Sequence, residues 1–478
     1  MPKIVLGTIN AKWIHPSYAL RLLKANLGEL EDHCEILEFA LRQPLEEKIR
    51  PILERRPRIL ALSVYIWNHR ATVEWLAELR RRWAPSGGIS GGTDGNPFPT
   101  IILGGPEVSF LKDDAELIQM ADYVVQGEGE GVFGPLCAAI LGGQGPKTRW
   151  IRGVPVDLGS IDPAYRLYTR EDLEKKLTYV EASRGCPFGC HFCLSSLDRT
   201  VRTVPLEDFL NQLQGLMDRG ARSFKFLDRT FNLDIDRARD IMEFFLQRLR
   251  PGMFVHFEMV PSRFPEALRS LLTRFPPGTL RLEVGIQTLN PQVAQTIGRP
   301  SDPEKELETL EFLRRGTKAI VHADLIAGLP GETMESFAQG FNRLWTARPT
   351  EIQVGILKKL PGTPLVQHDS RYGMRYSDEA PYDVLETGTW CAADLNRIKN
   401  FARFWELIVN RGNFDDLVPS FLSDDAFGNF MRISEGLLRR FGKSWGIDRG
   451  DLRSALMEIV KRRLQGDDRF DLHEAPLR

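Results

Sequence analysis

Three of the six cysteines in this 478-residue chain lie close together, in Cys186-Pro-Phe-Gly-Cys190-His-Phe-Cys193. Thiolates at that spacing in one short loop can converge on one face of an iron-sulfur cube, leaving the fourth iron without a protein ligand and open to a small molecule. The other reading of these residues is a structural zinc site with His191 as fourth ligand. His191 follows Cys190 directly, a poor geometry for chelating one ion. Cys34, Cys137 and Cys391 are scattered, so a disulfide framework does not account for the bunching, and a reducing compartment is expected. These three read as inert buried thiols.

The loop needs a scaffold, and the apolar runs supply one. From residue 3 to about 130, strand-like runs at Lys3 to Asn10, Cys34 to Phe39, Ile59 to Trp67, Thr100 to Leu103 and Tyr123 to Val125 alternate with helical stretches such as Tyr18 to Leu30, Leu45 to Glu54 and Thr72 to Trp83. Alternation of this kind predicts a doubly wound parallel sheet in residues 1–141, with ligands at the carboxyl ends of its strands. The Gly-rich stretch Pro85 to Pro99 reads as a surface loop. A linker, 142–172, leads to six more strand candidates in 173–370: Leu177 to Ala182, Ser223 to Leu227, Phe254 to Met259, Arg281 to Ile286, Ala319 to Ile326 and Glu351 to Leu357. Each gap is long enough for a helix, so a (β/α)6 partial barrel is expected, with chemistry at the strand C-termini. The cysteine loop follows the first of these strands. After Leu365 strand signals stop, and 371–478 reads as a helical C-terminal domain, with Phe401 to Val409 and Asp425 to Arg440 strongly amphipathic and the last dozen residues frayed.

Composition narrows the classes. Lys plus Arg number 63 against 64 Asp plus Glu, a formal charge of -1, so no global basic field recruits nucleic acid or an anionic membrane. No run reaches the ~18 apolar residues of a membrane span, and the N-terminus shows no signal-peptide anatomy, so a cytoplasmic protein is expected. Gly442-Lys443-Ser444 is not a phosphate-binding loop, because the position that must carry the first glycine is Leu437.

At its cysteines the chain resembles the radical S-adenosylmethionine (SAM) superfamily, whose signature is C-x3-C-x2-C with an aromatic, here Phe192, before the last cysteine. The resemblance implies a 4Fe-4S cluster on Cys186, Cys190 and Cys193 that binds SAM and cleaves it reductively to a 5'-deoxyadenosyl radical. It implies also an external electron donor such as flavodoxin or ferredoxin. Phe224-Lys-Phe-Leu-Asp228-Arg-Thr-Phe-Asn232 stands where that family holds the SAM amino group, with Asp228 the expected acceptor; the family often has two acidic residues there, and this chain has Asp228-Arg229. Glu258, Glu283 and Gln287 fall in segments similar to those near the ribose and methionine ends, and Asp324 to Thr333, with Leu329, in one similar to the segment behind the adenine and ribose.

A doubly wound domain ahead of such a barrel resembles the cobalamin-binding class. The matching residues are Ile9 to His15, Ser63-Val-Tyr65-Ile-Trp67-Asn68, Leu103-Gly104-Gly105-Pro106-Glu107 and Gly127-Glu128-Gly-Glu130, at four strand ends where glycines let backbone approach a broad corrin. The Asp-x-His-x-x-Gly motif that supplies a histidine to cobalt elsewhere is absent, so the cobalt's lower axial ligand is left unassigned. The resemblance implies methyl transfer through methylcobalamin to an unactivated carbon of a small metabolite, lipid precursor or peptide. Tyr65 and Trp67 are the candidates to touch it. A radical rearrangement or cyclisation without methyl transfer, and a non-catalytic cobalamin or Fe-S binding protein, are the alternatives. The tRNA methylthiotransferases, which resemble the barrel, need three N-terminal cysteines where this chain has two, Cys34 and Cys137.

Overall fold

The computed structural model describes residues 2–83, 97–423 and 425–464. Most of the loop expected at Pro85 to Pro99, and the final dozen residues, lie outside the described residues. The first sheet comprises β1 (Ile4–Asn10), β2 (Cys34–Ala40), β3 (Ile59–Ser63), β4 (Thr100–Gly104), β5 (Tyr123–Gln126) and β6 (Trp150–Arg152). All its pairings are parallel, in the order β2-β1-β3-β4-β5-β6. Every residue of β1 is buried, because helices cover both faces. Val5, Ile9, Leu60 and Leu62 enter one core with Trp75, and Ile4, Leu6, Ile59 and Ala61 enter the other with Leu20. The strand order reverses between β1 and β3, which opens a crevice at their carboxyl ends.

The domain outruns the boundary expected at residue 141. β6 pairs with β5 and extends the sheet to Arg152; a three-residue strand is too short to show a period.

The second sheet runs β14-β13-β12-β11-β10-β7, again all parallel: β7 (Thr178–Val180), β10 (Ser223–Phe226), β11 (Phe254–Met259), β12 (Leu280–Gln287), β13 (Ile320–Ala327) and β14 (Glu351–Ile356). Its edge strands β7 and β14 do not pair with each other, so the barrel is partial. β12 and β13 alternate strictly between buried and half-buried residues, one face in the helix-packed core and the other lining the barrel interior. A short antiparallel pair, β8 (Ser183–Arg184) with β9 (Arg202–Thr203), brackets the cysteine loop.

The C-terminal region is not wholly helical. β15 (Arg375–Tyr376) and β16 (Val384–Glu386) form a hairpin, which two- and three-residue strands concealed from sequence reading. Helices Ala392–Trp405 and Ala426–Phe441 then pack Phe401, Trp405, Phe427 and Phe430 around Phe341 of the barrel helix Met334–Ala347. Asn410 closes the β14 edge, accepting from Ile352 N–H at 3.1 Å and donating to Ile352 C=O at 3.0 Å. Among the described residues no helix is long and apolar enough to cross a membrane. Cys34 and Cys137 are buried, and burial pushes both thiols up to about 12. Cys391 departs from expectation: it is exposed, its thiol 3.2 Å from Asp394 Oδ2.

Candidate functional site: a cysteine loop between two cavities

Gly185 makes the turn into the cysteine loop at φ 100°, and a β-carbon there would lie 1.8 Å from Thr200 O. Only glycine fits such an approach. Cys186 N–H donates to Asp198 C=O at 3.1 Å, and His191 N–H to Ile297 C=O at 2.9 Å, so both arms of the loop are pinned. Cys190 is buried while Cys186 and Cys193 are half-buried. Burial raises the Cys190 thiol, and the Arg299 guanidinium, 3.9 Å from its sulfur, opposes that shift. Arg299 also donates to Gly285 C=O in β12. Cys186 Sγ lies 3.6 Å from Thr230 Oγ1.

His191 turns away from the sulfurs, its Nδ1 2.9 Å from His368 Nε2. Among the described residues no three His, Cys, Asp or Glu side chains gather tightly enough to hold a single metal ion. The donor set suits a cluster instead: thiols spread along one loop, with Arg299 beside one of them to offset the charge of a thiolate-bound cube.

One wall of the loop faces a cavity of about 750 Å³ between the strand ends of the first sheet and the barrel. Ser63, Tyr65, Gly104, Gly105, Pro106, Gly127 and Glu128 all line it, together with Gly185 and Ser195 of the cysteine segment. Gly105 (φ 104°) sits so close to β3 that a β-carbon would lie 2.5 Å from Val64 O. The Tyr65 and Trp67 rings stack at 4.4 Å and 6°. Buried Asn68 folds their loop, donating to Ile9 C=O (3.0 Å) and Ser63 C=O (3.2 Å) and accepting from Tyr65 N–H (2.8 Å). His15 is satisfied by Tyr179 Oη, 2.8 Å from its Nδ1. A glycine-rimmed, ring-bearing opening of this size suits a broad flat ligand such as a corrin.

Two residues expected to touch that ligand are otherwise engaged. Glu107 does not line the cavity; its buried carboxylate is held by His69 Nδ1 (2.7 Å) and Tyr382 Oη (2.5 Å). Glu128 spends its oxygens on an ionic bridge between the domains, meeting Arg184 at 3.1 Å, Arg202, and Val156 N–H at 2.9 Å. Burial would raise the Glu128 carboxyl, but Arg202, the Val156 amide and Arg184 outweigh it and hold it below the usual range. Arg184 also meets Glu130 (2.9 Å) and Glu181 (2.7 Å), so the residue before Gly185 is clamped from both domains.

The other wall of the loop carries Phe192, which lines a second cavity of about 260 Å³ with Gln287, Asp324, Gln353, Lys358 and Leu360. Gln287 stands at φ 70°, where a bulge interrupts the β12–β13 register. Asp324 Oδ1 is buried without a hydrogen-bond partner; His322 Nε2 lies 3.3 Å away but is not aligned to donate. Burial, with Glu283 and Glu258 nearby, pushes the Asp324 carboxyl up to about 8. Burial would raise Glu283 as well, but His256 at 3.1 Å and Lys225 at 3.7 Å bring it down to about 2. Burial raises Glu258, partly offset by Arg229 at 3.5 Å. The unpartnered Asp324 oxygen, the Gln287 amide and an aromatic wall suit a ligand with ribose hydroxyls and an adenine.

Two further placements differ from expectation. Asp228, assigned to an ammonium, is buried and already accepts Ala182 N–H (3.0 Å) and Ser183 O–H (2.5 Å), one from each oxygen, and burial pushes it up to about 7. It anchors the strand that enters the cysteine loop. Leu329 is fully buried in the barrel core. Sequence reading passed over Arg184, Arg202 and Arg299, whose roles depend on partners 54 to 109 residues away in the chain.

Residues 180–344, the barrel with its cysteine loop, match the Radical SAM superfamily. An uncharacterized methyltransferase of Pyrococcus horikoshii is 27% identical over 260 residues, 49% of this chain and 55% of that protein. The cobalamin-dependent radical SAM methyltransferase TokK of Streptomyces tokunonensis is 24% identical over 366 residues, 70% of this chain and 51% of TokK. The chain thus spans about half the length of these curated relatives. The architecture extends further than the sequence similarity: the structure of the cobalamin-dependent S-adenosylmethionine radical enzyme OxsB, with aqua-cobalamin and S-adenosylmethionine bound, superposes with a TM-score of 0.64 over 98% of this chain and 76% of that one, at 13% identity.

Proposed function

We propose that this chain is a cobalamin-dependent radical SAM enzyme that transfers a methyl group to an unactivated carbon. The observation that carries the reading is that one cysteine loop forms a wall of two cavities, the large one through Gly185 and Ser195 and the small one through Phe192. The relatives' names supply the methyl transfer. Cys186, Cys190 and Cys193 would hold a 4Fe-4S cluster, the small cavity SAM, and the large cavity cobalamin. When bound, these groups supply reductive cleavage of SAM and a transferable methyl.

The protein's own work is placement. Gly105 and Gly127 admit a ligand close to backbone, and the Tyr65–Trp67 stack offers it a flat face. Asp324 Oδ1 offers the small cavity an unpartnered acceptor, and Arg299 offsets charge at Cys190. Burial of the surrounding strands excludes water from a reactive intermediate, and fixed geometry raises the effective molarity of the reacting carbon. An electron from an external one-electron donor is required, and the protein acts in the reducing interior of the cell.

The test is the UV-visible spectrum of anaerobically reconstituted protein after incubation with hydroxocobalamin and desalting. Near-stoichiometric corrin together with iron-sulfur absorption is expected. Cluster without corrin would overturn the cobalamin half and leave a radical SAM enzyme with a repurposed first domain.

A further inference from the structure

The region after the barrel holds a contact that the chemistry above does not use. Tyr382, in the β15–β16 hairpin, has φ 58°, a left-handed conformation that a tyrosine keeps only where its surroundings hold it. Its hydroxyl donates to Glu107 Oε1, the same oxygen that His69 approaches, and Glu107 is almost wholly buried. Glu107 closes the Gly104–Gly105–Pro106 segment that lines the large cavity, and Glu107 N–H donates to Val64 C=O beside the Tyr65 loop. The neighbouring residue reaches the opposite way. Asp383 meets Lys358 Nζ at 2.5 Å and Lys399 Nζ of helix Ala392–Trp405 at 3.0 Å, and Lys358 lines the small cavity. Backbone bonds add to this: Lys359 N–H to Tyr382 C=O (3.0 Å) and Val384 N–H to Leu357 C=O (2.8 Å). A second first-domain side chain, Phe110, lies flat on Gly362, where a β-carbon would be 2.4 Å from its ring.

We propose that Tyr382 and Asp383 form a clasp that fixes the Gly104–Glu107 loop of the large cavity at a set distance from the Leu357–Leu360 segment of the small one. The C-terminal region is then a positioning device for two ligands that must meet. The proposal rests on the assignment of cobalamin and SAM to those cavities. Two adjacent residues, one reaching each cavity wall, transmit any displacement of one wall to the other. Neither side chain touches a ligand; both act through Glu107 and Lys358.

The experiment uses the full chain without cofactors. In Tyr382→Phe the ring remains and one charge-assisted hydrogen bond is lost, so amide hydrogen exchange across residues 104–110 should rise about tenfold while β11 and β12 keep their protection. Glu107→Gln, which retains an acceptor for Tyr382, should stay near the unsubstituted protein, and Glu107→Ala should match Tyr382→Phe. Hydroxocobalamin binding, read by quenching of tryptophan fluorescence, should weaken about tenfold in Tyr382→Phe. Unchanged exchange at 104–110, or an increase spread equally over the barrel strands, would overturn the clasp. If the unsubstituted protein binds no hydroxocobalamin, the cobalamin assignment fails, and the exchange result still decides whether the clasp holds the loop.

Discussion

The two cavities share the cysteine loop as a wall, yet the charged groups around them are left in opposite states. Around the large cavity, Glu128, Glu130, Glu181 and Asp198 are all engaged by Arg184 or Arg202. These paired charges share the cavity wall with glycine backbone and the stacked Tyr65 and Trp67 rings. In the small cavity Asp324 Oδ1 has no partner, and its carboxyl is pushed up to about 8 while neighbouring Glu283 is brought down to about 2. On the proposed assignment of cobalamin and SAM, the difference sets how each cavity would select its ligand. Charges that cancel within the protein leave shape and stacking to select a broad body; an unsatisfied buried acceptor costs stability until a donor arrives, so it selects by hydrogen bonds.

The largest expected effect tests whether the cavities are separable at all. Cys186→Ala or Cys190→Ala should reduce the iron content of reconstituted protein to background, yet leave hydroxocobalamin retention in place. Loss of both together would mean that the cluster loop, not the first domain, builds the large cavity. Next in size is Gly105→Val. The left-handed backbone and the 2.5 Å approach to Val64 O give the new side chain no place, so about 1–3 kcal/mol of local strain is expected. Corrin retention should fall, and SAM binding by equilibrium dialysis should not.

Sequence reading found what is local and periodic. The cysteine loop, the six barrel strands within two or three residues of their ends, and the glycines of the strand-end loops all announce themselves within a few positions of one another. It missed what tertiary partners decide. Glu107 and Glu128 lie in the segments expected to hold a corrin, but distant arginines and a tyrosine 275 residues away claim their carboxylates. Asp228 stands at the right strand end and points back into the protein. β6 and the β15–β16 hairpin escaped because two or three residues cannot express a period of two.

Asp324→Asn separates the cavities by pH. Between pH ~3.8, where an unfolded aspartate ionises, and about 8, the folded protein keeps a proton that the unfolded chain has lost. The unfolded state then binds fewer protons, so stability falls as pH rises through that window. Chemical denaturation of the cofactor-free protein at pH 5 and pH 8 should show this decline, to which buried Asp228, Glu306 and Glu332 contribute with the same sign, and the substitution should make it shallower. SAM affinity should drop several-fold, with corrin retention unchanged.

The smallest effect is expected at Glu128, and its smallness is informative. Glu128→Gln removes one carboxylate from a cluster in which Arg184 retains Glu130 and Glu181 and Arg202 retains Asp198. Neither guanidinium is left buried without a partner, so the large penalty of an uncompensated charge does not arise, and a loss of about 1 kcal/mol is expected in urea denaturation. The amide can still accept from Val156 N–H, which keeps the linker against the loop. If the charges around the large cavity cancel one another rather than serve the ligand, corrin affinity should be nearly unaffected. A tenfold or greater fall in affinity, at unchanged stability, would show instead that Glu128 reaches the ligand, and would make the two cavities alike in selecting by polar contact.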